Sequence, residues 1–126
     1  MAGSPNRPDA TTIRLNHVAL MVSDRERSAA FYGTHFGLTE RVHDDEHLLI
    51  LGAGDRALPA LKEGSPPPDR SSFNHFGFQA GSQSEVRTAR ERFRRAGVEE
   101  AQWQESGPVR VQVVDPDGYR VDLYAY

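Results

Sequence analysis

The chain repeats itself, and this constrains its fold more than any other feature. Leu15-Asn16-His17-Val18 returns as Phe73-Asn74-His75-Phe76, at an offset of 58 (75 − 17). Gly37 returns as Gly97, at an offset of 60 (97 − 37). A drift of two residues is what unequal loops between duplicated halves produce. Each half reads in the order strand, helix, strand, strand, strand. In the first, residues 12–22 are mostly apolar and rich in β-favouring side chains. Ser23 to Glu26 has capping-box form and predicts a helix start, with Ala30, Phe31 and Phe36 inward and Gly37 as the left-handed stop. Strands are expected near residues 39–42, 46–51 and 57–62, the last two separated by the turn Gly52-Ala53-Gly54-Asp55.

Gly64-Ser65-Pro66-Pro67-Pro68-Asp69 can be neither helix nor central strand, because prolines remove donors and fix φ. After it the order restarts. A strand at residues 73–80 leads to a second capping box, Ser82 to Glu85. A helix then carries Val86, Ala89, Phe93 and Ala96 on one face and closes at Gly97. Strands follow at residues 98–103, 109–114 and 119–125, the last two joined by the hairpin turn Asp115-Pro116-Asp117-Gly118. The expected organisation is a tail at 1–11, module one at 12–63, a linker at 64–72 and module two at 73–126.

Bulk properties narrow the function. At 126 residues the chain is one domain's worth, and 37% apolar content suffices for a core. Without cysteine there is no disulfide, thiolate ligand or cysteine nucleophile. A net charge of −3 gives no electrostatic case for nucleic acid. Arg87, Arg90, Arg92, Arg94 and Arg95 lie around the polar side of the second helix and read as a solvated face. No apolar run reaches membrane-spanning length and residues 1–10 carry no hydrophobic signal stretch, so a soluble cytoplasmic protein is expected.

Four segments together resemble the signatures of the vicinal-oxygen-chelate superfamily (glyoxalases, bleomycin-resistance proteins, extradiol dioxygenases). They are residues 15–22 around His17, Ala30 to Gly37, residues 73–78 around His75, and Asp115 to Tyr124. The resemblance covers about residues 12–126. It implies an α+β fold in which two βαβββ modules form an eight-stranded, U-shaped open sheet, barrel-like and flanked by helices. It also implies a divalent metal (Fe, Mn, Zn, Ni or Co) in the cleft, a small oxygen-rich substrate, and commonly a homodimer. Carried over position by position, the metal ligands are His17, His75 and Asp122, the last standing where relatives usually have glutamate. The matching first-module position, aligned through Asp55 and Asp117, is Ala60, which ligates nothing.

Strand alternation agrees with that set. His17, His75 and Asp122 each point away from the face with the clearest apolar run. Two imidazoles and a carboxylate suit a divalent transition metal, although the Asp122 carboxylate could instead pair with Arg14, Arg110 or Arg120. Arg110 and Gln112 alternate with Val109, Val111 and Val113 and are candidates for substrate binding, as are Trp103 and Tyr124 through their rings. No catalytic base is assigned. His35, His43 and His47 are expected at the surface.

Ala60 argues against a glyoxalase I-type isomerase with a carboxylate from each half. Ala19 and Arg110, where fosfomycin-type thiol transferases carry threonine and serine, argue against that reaction. The expected function is a metal-dependent lyase, isomerase or dioxygenase. The alternative is a non-catalytic protein that sequesters an antibiotic, as bleomycin-resistance proteins do.

Overall fold

The computed structural model describes residues 7–9, 11, 13–54, 58–67 and 74–126. The expected tail, much of the linker and the Asp55 end of the first turn lie largely outside them. The expected α+β architecture is present: β1 (His17–Val22), α1 (Arg25–Phe36), β2 (Glu40–Asp44), β3 (Leu49–Gly52) and β4 (Leu58–Glu63) form one module. The second comprises β5 (His75–Gln79), α2 (Gln83–Arg95), β6 (Glu100–Gln104), β7 (Val109–Val114) and β8 (Arg120–Ala125). The eight strands run in two four-stranded sheets, ordered β1-β4-β3-β2 and β5-β8-β7-β6. In each, the first and last strands of the module pair in parallel and the rest antiparallel. A register shift between Arg41 and His43 has its counterpart between Glu100 and Gln102. The duplication thus extends to the irregularities. Among the described residues no helix is long and apolar enough to cross a membrane.

The start of α1 differs from the capping-box expectation. Asp24, not Ser23, caps the helix, accepting hydrogen bonds from the Glu26 and Arg27 amides at 3.0 and 3.1 Å. Ser23 instead donates through its hydroxyl to Asp117 Oδ1 at 2.5 Å. The inward face differs too. Ser28, Ala29, Tyr32 and Phe36 are buried, whereas Ala30 is exposed. The reason is chemical: the hydroxyls of Ser28 and Tyr32 meet buried carboxylates, so polar residues occupy the face that hydrophobic spacing gives to Ala30. α2 follows expectation, with Ser82 Oγ accepting from the Glu85 amide at 3.1 Å and Val86, Ala89 and Phe93 buried. Gly37 and Gly97 both adopt positive φ, 72° and 73°.

The modules are joined by aromatic packing and by the Asp-Pro-Asp-Gly turn. Phe36 of α1 lies 4.9 Å from Phe78 of β5 and 5.7 Å from Phe93 of α2, between ring centroids. Asp115 Oδ1 accepts from the amides of Asp117 and Tyr119, both at 2.9 Å, and so closes the turn on itself. Its Oδ2 accepts from the Tyr32 hydroxyl at 2.7 Å. Tyr119 donates to the Met21 carbonyl at 2.7 Å. The turn is therefore a clasp across the two halves.

The β2–β3 connection is closed by Asp45. Its Oδ1 accepts from the amides of His47 and Leu48 at 2.8 and 2.9 Å, and its Oδ2 pairs with His43 Nε2 at 2.8 Å. The amide of His47, the His43 side chain and the amide of Leu48 hold its carboxyl at about 2, below the ordinary 3.8. A carboxyl lowered in the folded chain contributes stability above the unfolded value and loses it as pH falls towards 2. Asp45→Ala is therefore expected to remove hydrogen-exchange protection from the His47 and Leu48 amides at neutral pH. In the parent chain that protection should fade only as pH drops towards 2.

Candidate metal and substrate site

Strand register determines which side chains share a face. Across the second sheet, Gly77, Asp122, Gln112 and Gln102 form one row, and Gln79, Tyr124, Arg110 and Gln104 the next. The opposite face carries Val109, Val111, Val113 and Val121, all at most 1% exposed, packed beneath the helices. The face away from the helices is thus strongly polar, as alternation along β7 and β8 predicts.

Asp122 is its centre. The side chain is 7% exposed, and Oδ1 accepts from Arg110 Nη1 at 3.1 Å and Gln112 Nε2 at 3.0 Å. Oδ2 lies 3.2 Å from His75 Nε2. Arg110 also donates through Nη2 to Gln102 Oε1 at 2.6 Å. Gln112 is fully buried, and its Oε1 has no partner among the described residues.

Gly77 makes the arrangement possible. It pairs in register with Asp122, and a Cβ added to it would lie 2.8 Å from the Asp122 Cβ. No ordinary side chain tolerates that contact. Gly77→Ala is expected to push Asp122 away from His75 and to cost about 1–3 kcal/mol through overpacking, read as a lowered chemical-denaturation midpoint with unchanged slope.

The first module has the same frame without the chemistry. Ala19, Ala60, Ile50 and His43 form its corresponding row. His17 stands two residues before Ala19, as His75 stands two before Gly77. The register thus pairs Ala60 with Asp122 as structural counterparts. His17 is exposed and its Nδ1 lies 2.9 Å from Asn16 Oδ1. His17 and His75 line a common cavity of about 220 Å³ with Leu15, Val18, Pro59, Phe76, Gly77 and Phe78.

These positions bear on a divalent metal as follows. The 3.2 Å between His75 Nε2 and Asp122 Oδ2 is the spacing of adjacent ligands on an ion with bonds of about 2.0–2.2 Å. One imidazole and one carboxylate are suitable donors for Fe, Mn, Zn, Ni or Co. The pair therefore fits such an ion. His17 does not join it: among the described residues no three His, Cys, Asp or Glu side chains form a metal-sized group.

Of the substrate-binding candidates, Arg110, Gln112 and Tyr124 share the polar face. Trp103 does not. It pairs in register with Val111, on the helix side, and the Arg90 guanidinium sits 4.1 Å from its ring centroid. Arg90 in turn pairs with Glu100 at 2.7 and 3.0 Å. Gly77, which alternation places on the face of His75, lies in the same row as Asp122, and so does Gln102, which the sequence did not single out because the register shift in β6 hides its face. His43 and His47 are exposed as expected. His35 is not: its ring lies 5.0 Å from Phe31 and 5.7 Å from Phe93. Burial first, and then the nearby Arg92, lower its pKa below the ordinary 6.5.

Two βαβββ halves, each a four-stranded sheet with one helix, define the fold, and comparison with known proteins agrees on it. Residues 14–123 match the model of the Glyoxalase/Bleomycin resistance protein/Dioxygenase superfamily, and the chain belongs to that superfamily. It is similar to the glutathione transferase FosA of Serratia marcescens, 25% identical over 112 residues, covering 87% of this chain and 79% of that protein. Its fold matches the fosfomycin resistance protein FosX of Listeria monocytogenes complexed with Mn(II) and sulfate (TM-score 0.76, 23% identity, 89% of each chain covered). It also matches the lactoylglutathione lyase of Agrobacterium tumefaciens (TM-score 0.71, 24% identity, 89% and 92% covered). With a FosA-like relative present, the expectation against fosfomycin-type thiol transfer rests on Ala19 and Arg110 alone.

Proposed function

We propose that the chain is a divalent-cation-dependent enzyme acting on a small oxygen-rich substrate, with His75 and Asp122 holding the cation. The observation that carries this reading is their 3.2 Å donor separation on a polar face. Membership of a superfamily that includes metalloenzymes supports it. So does the Mn(II) bound by FosX of Listeria monocytogenes, a protein of the same fold. A bound cation would act as a Lewis acid, polarising a substrate oxygen and stabilising negative charge as it develops.

The chain's own residues would do the rest. Arg110 offers a planar guanidinium to a substrate carboxylate or phosphonate. Gln112, fully buried, would hold the Asp122 carboxylate in place through its amide, and Tyr124 brings a ring to the same face. His17 brings a second imidazole to the wall of the cavity shared with His75. Assembly as a homodimer is part of the reading, supported by the exposed Leu15 and Met21 on and beside β1 (93% and 39%). The protein is expected to act in the cytoplasm.

A second reading, metal-free sequestration of an antibiotic, is favoured by one observation: Arg110 already neutralises Asp122. Metal analysis of protein purified without chelator or affinity tag separates the two. The enzyme reading expects near-stoichiometric metal, lost in His75→Ala. No metal in either protein, with 1:1 binding of an aromatic antibiotic, would decide for sequestration.

A further inference from the structure

We infer that Arg110 is the resident counter-ion of Asp122 and that a divalent cation must displace it to bind. The inference rests on the cation site proposed above. A carboxylate with only 7% of its side chain exposed needs compensating charge. Among the described residues the Arg110 guanidinium brings a full positive charge to 3.1 Å from Asp122, on the same Oδ1 that accepts from Gln112. A cation using Oδ2 and His75 would share this carboxylate with the guanidinium. Like charges repel strongly where the surroundings are poorly solvated.

The two donors on Oδ1 differ in freedom. Gln112 is fully buried and its amide stays where the core holds it. Arg110 retains 22% exposure and already has a second partner, Gln102 Oε1 at 2.6 Å on β6, an edge strand of the sheet. It can swing outward while Gln112 continues to orient the carboxylate. Displacement would free Nη1 from Asp122 while Nη2 keeps Gln102, leaving a charge without its counter-ion, ready for an anionic group on the substrate. Cation binding and recognition of that group would then be coupled through one side chain: without a cation Arg110 serves Asp122, and with one it serves the substrate.

The test is calorimetric titration of Mn(II) into chelator-stripped full-length chain and into its Arg110→Gln variant, with Asp122→Ala as the blank. The variant should bind Mn(II) at least about 10-fold more tightly than the parent, while Asp122→Ala binds none. Equal or weaker binding by Arg110→Gln, with the parent binding normally, overturns the displacement and leaves the cation site standing. No binding by either overturns both. Should Arg110→Gln fold poorly, the parent chain gives a second readout. The Arg110 guanidinium protons should exchange with solvent at least about 10-fold faster once diamagnetic Zn(II) saturates the site. Unchanged exchange at saturation overturns the inference.

Discussion

Asp115→Ala is expected to lower the stability of the folded chain by about 3 kcal/mol, through loss of several hydrogen bonds at one buried point. For a domain of this size that is a fall in Tm on the order of 10 °C. Asp115 is 4% exposed and accepts from the Asp117 amide, the Tyr119 amide and the Tyr32 hydroxyl at once. Alanine leaves a fully buried phenol without an acceptor and two turn amides without their closing partner. Tyr32→Phe removes only the phenolic hydroxyl and should cost about 1–2 kcal/mol. A double-mutant cycle between the two should therefore show strong coupling.

The pH dependence has a definite sign. Burial raises the Asp115 carboxyl above its ordinary 3.8, against the opposing hydrogen bonds. The folded chain then holds a proton that the unfolded chain has released, so this group subtracts stability as pH rises through the interval above 3.8. Asp115→Ala should abolish that component. Urea midpoints measured across the acid range on both proteins would show it.

Asp122→Ala is the second large effect, and it should appear in two quantities. The fully buried Gln112 would lose the partner of its amide while its carbonyl already has none among the described residues, and Arg110 would lose its counter-charge. The expected loss of stability is about 2–4 kcal/mol. Cation affinity should fall by more than about 100-fold, since even removing a residue that merely supports a ligand costs about 10–100-fold. Asp122→Asn separates the two effects. Its amide oxygen can still accept from Gln112, so most of the stability should survive, whereas the loss of charge should remove most of the cation affinity.

The frame of this fold is legible in the sequence because its determinants are local and duplicated. The Asn-His pairs, the glycine helix stops and the Asp-Pro-Asp-Gly turn each act within a few residues. Reading Asp55 against Asp117 placed Ala60 opposite Asp122, and the sheet register pairs both positions with β1 and β5 in the same way. What escaped depends on contacts across long sequence separations. Ser28 and Tyr32 turn inward because Asp117 and Asp115, more than 80 residues away, receive their hydroxyls. Ser23 leaves the cap to Asp24 for the same reason. Trp103 lies on the helix side, beyond a register shift between Glu100 and Gln102 that simple alternation does not reveal.

The aspartate that replaces the usual glutamate is the most informative departure. A carboxylate one methylene shorter still comes within 3.2 Å of His75, in a sheet where Gly77 leaves room for the Asp122 Cβ. The same short side chain is met by Arg110, a partner that alternation along β7 places on the correct face but cannot pair with a particular carboxylate.

The most direct test is ¹⁵N NMR of histidine-labelled protein titrated with Zn(II). The account predicts that the Nε2 resonance of His75 moves into the metal-bound range at one equivalent, and that Asp122→Ala abolishes the shift. A His75 resonance that stays in place, in a folded protein at several equivalents of Zn(II), would contradict it.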